Sequence, residues 1–257
     1  MKEEFELTNL EKPDIRSELT RIIYSAVPLS LIGILACSTI LAFVLWDFVP
    51  HQNILLWYAI TNGLSLVRFI AYKKFNTLDA ELPVAQVWNY FSLFSSIASG
   101  ATWGAAAIWL FPADDTVRQI LIVLVISGMC AGAVSTLSPM LTSLVAFVTL
   151  AIFPAVIRFL FIATDVAYTV ALTGTIFAVI ILMTAKNLNQ IIRTSLYMRH
   201  EQRMAKEVIE HQALYDPLTD LPNRRLLTDK IQHEIARCNR HKHISALLFL
   251  DLDFFKS

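Results

Sequence analysis

The chain has 257 residues, 56% of them hydrophobic and only 16% charged, with 21 basic and 21 acidic side chains. A soluble domain carries about 25% charged residues, so the composition argues for a membrane protein and against a soluble globule. The net charge of zero averages two unlike regions and gives no sign of a nucleic-acid partner. Eleven charged residues fall between Pro28 and Met183, whereas residues 186–257 hold twelve Lys or Arg, nine Asp or Glu and five of the six histidines.

The N-terminal stretch 1–22 has six acidic and four basic residues, which is not the short basic start and early apolar core of a cleaved signal. It is taken as a cytoplasmic segment. Six apolar runs follow, near 25–46, 54–72, 89–110, 118–135, 139–161 and 167–185. Each approaches the roughly 20 helical residues that a 30 Å hydrocarbon core requires. The turn around STLSPM between the fourth and fifth runs is tight, so five spans or a re-entrant pair is the alternative.

Loop charge gives the orientation. Lys12, Arg16 and Arg21 precede the first span, Lys73 and Lys74 follow the second, and Lys186, Arg193 and Arg199 follow the sixth. The other loops are poor in cations, so both termini are expected in the cytoplasm. Trp46, Trp57, Trp88 and Trp109 lie near span ends, where interfacial anchors belong. Gly100 and Gly104, and Gly128 and Gly132, are spaced four apart and are expected to let helix backbones approach within the bundle. Pro154 is expected to kink the fifth span. Asn62 and Arg68 are the polar groups that a small-solute transporter would use, but Arg68 is close enough to Lys73 to reach the interface instead. Cys37, Cys130 and Cys238 form neither a disulfide framework nor a metal pair.

From Asn187 the sequence turns polar. Leu188, Ile191, Ser195, Met198, Gln202, Ala205 and Ile209 follow alternating steps of three and four, the seam of a helix that could pair with a copy of itself. His200 and His211 lie on this stalk without a phosphoacceptor box around them, which argues against a histidine kinase. Beyond it, Pro217 marks a turn with Asp216 placed to cap backbone donors, and Pro222 suits the first turn of a helix running to about Asn239. Leu227, Ile231, Ile235 and Cys238 share one face of that helix. The run Ile244–Leu250 is nearly all apolar, as a strand covered on both sides would be. It ends in Asp251, Leu252 and Asp253. Carboxylates at the carboxyl end of a buried strand sit where open α/β sheets bind ligands, and a D-x-D pair can gather one hard cation. Lys256 follows, placed to neutralise phosphate. A surface turn after a core strand is the alternative reading of the same residues.

DPLTDLPNRRLL, followed after about 18 residues by ALLFLDLDFFK, resembles the opening of the GGDEF domain of bacterial diguanylate cyclases, which join two GTP molecules into cyclic di-GMP. The resemblance implies Mg²⁺ bound by Asp251 and the backbone carbonyl of Leu252, with Asp253 as a further acidic residue. It places Phe254, Phe255 and Lys256 around the triphosphate, and makes Asp216, Asn223 and Arg224 a structural signature. It also implies in-line phosphoryl transfer between two GTP-loaded domains, hence a homodimer made through the stalk.

The expected organisation is a cytoplasmic segment 1–22, a multi-pass α-helical membrane bundle of about six spans at 23–186, a linker helix at 187–213 and an incomplete α/β GGDEF-type domain at 214–257. The sequence stops at Ser257, ahead of the guanine-binding residues and the GGDEF hairpin, so no complete catalytic set is present and this polypeptide is expected to be inactive. The alternatives are a non-enzymatic membrane sensor or remnant and, less favoured, a transporter.

Overall fold

A computed structural model describes residues 13–77 and 82–248. Among these residues the regular structure is helical: α1 (Pro13–Ser25), α2 (Val27–Leu45), α3 (His51–Asn76), α4 (Leu82–Trp109), α5 (Thr116–Leu137), α6 (Leu141–Ile162), α7 (Asp165–Leu214) and α8 (Arg224–His241). The chain divides into two compact units, Met1–Tyr197 and Met198–Ser257. Among the described residues, six helical stretches are long and apolar enough to cross a membrane, the first being Ser17–Leu45 and the last belonging to α7. The STLSPM turn separates two helices, α5 and α6, each long and apolar enough to cross a membrane.

The first unit shows the burial pattern of a helix bundle whose outside is apolar. Leu41, Leu45, Ile54, Trp57, Trp103, Ile122, Leu144 and Val148 are buried in a common core, while Leu29, Phe43, Phe94 and Phe161 are largely exposed. In water such a surface would drive association; in lipid it is the solvated side. Helices α4 and α6 pack most extensively. A Cβ on Gly100 would lie 2.7 Å from the carbonyl oxygen of Phe147, and one on Gly104 would collide with the carbonyl of Leu150. Pro154 has no N–H to give that Leu150 carbonyl, so the freed oxygen lies against the glycine of the neighbouring helix. Helix α6 continues through Pro154 to Ile162.

Gly128 and Gly132 depart from expectation. Nothing lies within 4 Å of a Cβ built on either, so this pair lines open space instead of a backbone crossing. Trp57 also departs. It is 1% exposed, sets its ring edge-on to Trp103 and donates from Nε1 to the carbonyl of Thr102 at 2.8 Å. A buried tryptophan with a satisfied N–H is a core residue, not an interfacial anchor. Trp88 likewise joins Tyr24, Phe75 and Phe91 in an aromatic cluster, whereas Trp46 and Trp109 remain exposed. Asn62 is occupied within the bundle, donating to Tyr58 O at 2.9 Å and Ser38 Oγ at 3.2 Å. On the loop before α5, Asp115 caps the helix by accepting from the backbone N–H of Arg118 and pairs with its guanidinium; these bonds, the backbone one foremost, hold its carboxyl below the ordinary range.

Helix α1 begins within the segment read as cytoplasmic, 1–22, and runs on to Ser25. Ile15, Leu19 and Ile23, four residues apart, are buried, and the first two pack with Leu196 of α7. Thr20 donates to Asn89 Oδ1 at 2.7 Å. At the same end, Asn189 of α7 is buried and its Nδ2 donates to Ser138 O at 2.6 Å and Pro139 O at 3.0 Å, in the turn between α5 and α6. Span six and the linker are thus one unbroken helix, rooted in the bundle on two sides.

The α4–α6 contact yields a paired prediction. Gly104→Ala forces a Cβ into the Leu150 carbonyl and should lower stability by roughly 1–3 kcal/mol, the usual range for overpacking. Gly128→Ala enters open space and should be neutral or stabilising by about 0.5–1 kcal/mol through helix propensity. Thermal unfolding of both variants in one detergent compares them directly.

Candidate functional site

The residues assigned to Mg²⁺ and triphosphate, Asp251, Leu252, Asp253, Phe254, Phe255 and Lys256, lie outside the described residues. What the structure does describe is the turn and helix that lead to them.

Helix α7 ends at Leu214, and the chain reverses through residues 215–222 before α8. Tyr215 and Pro222 face each other in an antiparallel bridge, closed by Asp216 N–H to Leu221 O and Asn223 N–H to Leu214 O, both 2.8 Å. Asp216 organises the loop inside. Its Oδ1 accepts from Leu218 N–H at 3.1 Å, Thr219 N–H at 3.0 Å and the Thr219 hydroxyl at 3.0 Å. Those bonds, the Thr219 backbone bond foremost, hold its carboxyl below the ordinary range. Asp220 takes the left-handed conformation at φ 54°, which its short polar side chain tolerates, and its carboxylate lies 3.4 Å from His211 Nε2. The His211 ring stacks on Tyr215 with centroids 4.4 Å apart.

Asn223 works in two directions. Its Oδ1 caps α8 by accepting from Leu226 N–H at 3.1 Å, while its Nδ2 donates to Ala213 O at 2.8 Å, an orphan carbonyl at the end of α7. One carboxamide therefore ties the C-terminus of one helix to the N-terminus of the next. Pro222 sits outside α8, in the bridge ahead of the Asn223 cap and not in the first helical turn as its residue type had indicated. Arg224 is the first residue of α8.

Helix α8 has no buried residues; Leu227 and Ile235 on its apolar face are exposed, as are Ile244, Leu247 and Leu248 beyond it. The strand expected from Ile244 is not formed in its described part: residues 243–248 are neither helix nor strand. A strand exists by exchanging backbone hydrogen bonds with a neighbour, and the described residues supply none. Instead this segment folds back on α8. Ser245 Oγ donates to Glu234 Oε1 at 2.8 Å, with His243 Nε2 at 3.3 Å from the same oxygen. The two bonds, that from Ser245 foremost, lower the Glu234 carboxyl below its ordinary value. Glu234, Cys238 and His243 offer three potential metal ligands within 4.8 Å of one another, a grouping that sequence spacing did not reveal because His243 enters by the chain folding back.

The description "Diguanylate cyclase, GGDEF domain" matches residues 213–257. Over these residues the chain is similar to the GGDEF family. The chain is also 34% identical over 88 residues to the bifunctional diguanylate cyclase/cyclic di-GMP phosphodiesterase MucR of Pseudomonas aeruginosa, a match covering 34% of this chain and 13% of that relative. The chain thus spans a small fraction of the curated relative's length. No solved structure matches. The match begins one residue before the end of α7, so the turn that Asp216 and Asn223 organise lies at the start of the matched segment.

Two outcomes follow for this turn. Asn223→Ala should cost about 1 kcal/mol, the usual loss for a helix cap, seen as faster amide exchange in the first turn of α8. Because folding lowers the Asp216 carboxyl, the stability it contributes is present above its unfolded value and is lost as pH falls through the folded one. Protection of the Leu218 and Thr219 amides should therefore persist through neutral pH and fade only below the ordinary carboxylate range; in Asp216→Asn the acid-dependent step should vanish.

Proposed function

We propose that this chain is the membrane-anchoring and opening portion of a signalling protein of the diguanylate cyclase type, held in the bacterial inner membrane with both termini cytoplasmic. The observation that carries the reading is the GGDEF match beginning at residue 213, on the last turn of a helix whose apolar half is long enough to cross a membrane. The cation-rich loops lie at alternate turns of the bundle, which supports the orientation. The proposed organisation keeps the boundaries 1–22, 23–186, 187–213 and 214–257, with helix α1 starting in the first and ending in the second.

In this reading α8 is the first helix of an α/β domain, and its exposed Leu227 and Ile235 are the face on which the family's sheet would pack. Asp251 and the Leu252 carbonyl, with Asp253 beside them, are hard oxygen donors of the kind Mg²⁺ takes. The ion would supply electrostatic stabilisation of charge on GTP phosphates. Phe254, Phe255 and Lys256 would hold the triphosphate. The linker seam supports pairing of two chains: Ile191, Met198 and Ile209 are exposed along α7. Two domains brought together in this way would each present one GTP.

A polypeptide limited to these 257 residues holds one part of such a site and should form no cyclic di-GMP from GTP and Mg²⁺. The encoding gene, read through any codons beyond 257, should yield a protein that does. Asp251→Asn in that protein should abolish the activity while leaving its membrane insertion intact. Product formation by the 257-residue polypeptide, or an undiminished rate in Asp251→Asn, would contradict the proposal. A non-enzymatic membrane sensor is the second reading, favoured by the absence of buried residues on α8; it predicts no cyclic di-GMP from either protein.

A further inference from the structure

Within the first unit, a cavity of about 340 Å³ opens between α2, α3, α4, α5 and α6. That volume is within the roughly 300–1,000 Å³ of small-molecule sites. Its wall is mainly apolar, and three of its lining residues, Gly33, Gly128 and Gly132, have nothing within 4 Å of a built Cβ. The glycines therefore make the space and do not close it. Two polar groups stand out. Ser96 is 2% exposed, and its Oγ has no hydrogen-bond partner. Arg68 lines the same cavity half-buried, and among the described residues no carboxylate pairs with it. A cation and an unsatisfied hydroxyl at the wall of an apolar chamber are an unfinished arrangement, since buried polar groups ordinarily find partners.

We infer that this cavity is a binding site for a single-chain carboxylic acid, a free fatty acid of the surrounding membrane, whose carboxylate pairs with Arg68 and Ser96 while its chain fills the space beside Gly128 and Gly132. One guanidinium and one hydroxyl suit a planar monoanion, which Arg can grip with two parallel bonds. A phosphate headgroup has more charge and more acceptors than these two donors satisfy. Leu29 and Ile32, on the rim, are 68% and 67% exposed on the apolar outside of the bundle, which gives a chain a route in from lipid. The site also touches the machinery of the fold. Thr136 and Leu137 of its wall are the last turn of α5, next to the Ser138 and Pro139 carbonyls that hold Asn189 of α7. This inference rests on the bundle being in a membrane and not on the cyclase reading.

The test is binding of tritiated palmitate to the full chain in phosphatidylcholine nanodiscs, beside hexadecanol and lysophosphatidate. Palmitate should bind saturably, and hexadecanol, lacking the charge, about tenfold or more weakly, the factor expected when a charge-assisted pair is lost. Arg68→Gln should bring palmitate down to the hexadecanol level, and Ser96→Ala should weaken it in the same direction. Gly132→Leu should fill the chamber and remove binding with helix content unchanged. In a Cys238→Ser background, palmitate should slow the reaction of cavity-lining Cys37 with a membrane-permeant maleimide, a readout available if Arg68→Gln fails to fold. Equal binding of palmitate and hexadecanol, tighter binding of lysophosphatidate, undiminished binding in Gly132→Leu, or no protection of Cys37 would each overturn the assignment. None of these readouts involves nucleotide, so failure here and failure of the cyclase reading are separable.

Discussion

The buried amide of Asn189 is the interaction on which the architecture turns. Helix α5 ends with carbonyls that have no helical donor, and in an apolar environment each such group left unpaired costs several kcal/mol. Asn189 Nδ2 reaches two carbonyls of that turn, Ser138 and Pro139, from a helix fifty residues further along the chain. Arg193 Nε then donates to Asn189 Oδ1 at 3.1 Å, one turn on. The apolar bundle is thereby closed at one end by the helix that becomes the linker. Leu196, another turn on, is buried against Ile15 and Leu19 of α1. Any rearrangement of the α5–α6 turn must break or move with the root of α7.

Much of this was legible in the sequence, for physical reasons that differ from element to element. The six apolar helices were visible because a hydrocarbon-sized run of Leu, Ile, Val and Phe has few other stable uses. Asp216 was legible as a turn residue, since a short side-chain oxygen beside a proline turn has a narrow repertoire; Asn223 was singled out by the resemblance of DPLTDLPNRRLL alone. Helix α1 was missed because its acidic and basic residues dominate the composition of the tail; the spacing of Ile15, Leu19 and Ile23 was the available signal. Pro222 was placed inside α8 because proline favours a first helical turn, but Asn223 is the better cap and pushes the helix start beyond it. Trp57 was read by its position in the span, whereas burial is decided by which face of the helix meets Trp103.

The glycines show the same limit. Two pairs with identical spacing do opposite things: Gly100 and Gly104 admit the backbone of α6, while Gly128 and Gly132 face a chamber. Spacing puts both members of a pair on one face, but what that face meets is a property of the assembled bundle. Arg68 is a related case. Five residues from Lys73, it has the reach to leave the apolar zone, yet its side chain lines an interior space. The described residues of the GGDEF segment carry the converse lesson: Ile244–Leu248 reads as a strand by composition but has no neighbouring strand among the described residues to make it one.

In the proposed orientation, an even number of spans puts the GGDEF-matching segment on the cytoplasmic side, at the end of α7. Labelling with a membrane-impermeant maleimide tests this directly, because Cys238 is a native probe on α8 and Asp114→Cys adds one in the loop between α4 and α5. The account predicts that Cys238 reacts in inverted membrane vesicles and is silent in intact spheroplasts, with the reverse pattern at position 114. Reaction of both positions from the same side would contradict it.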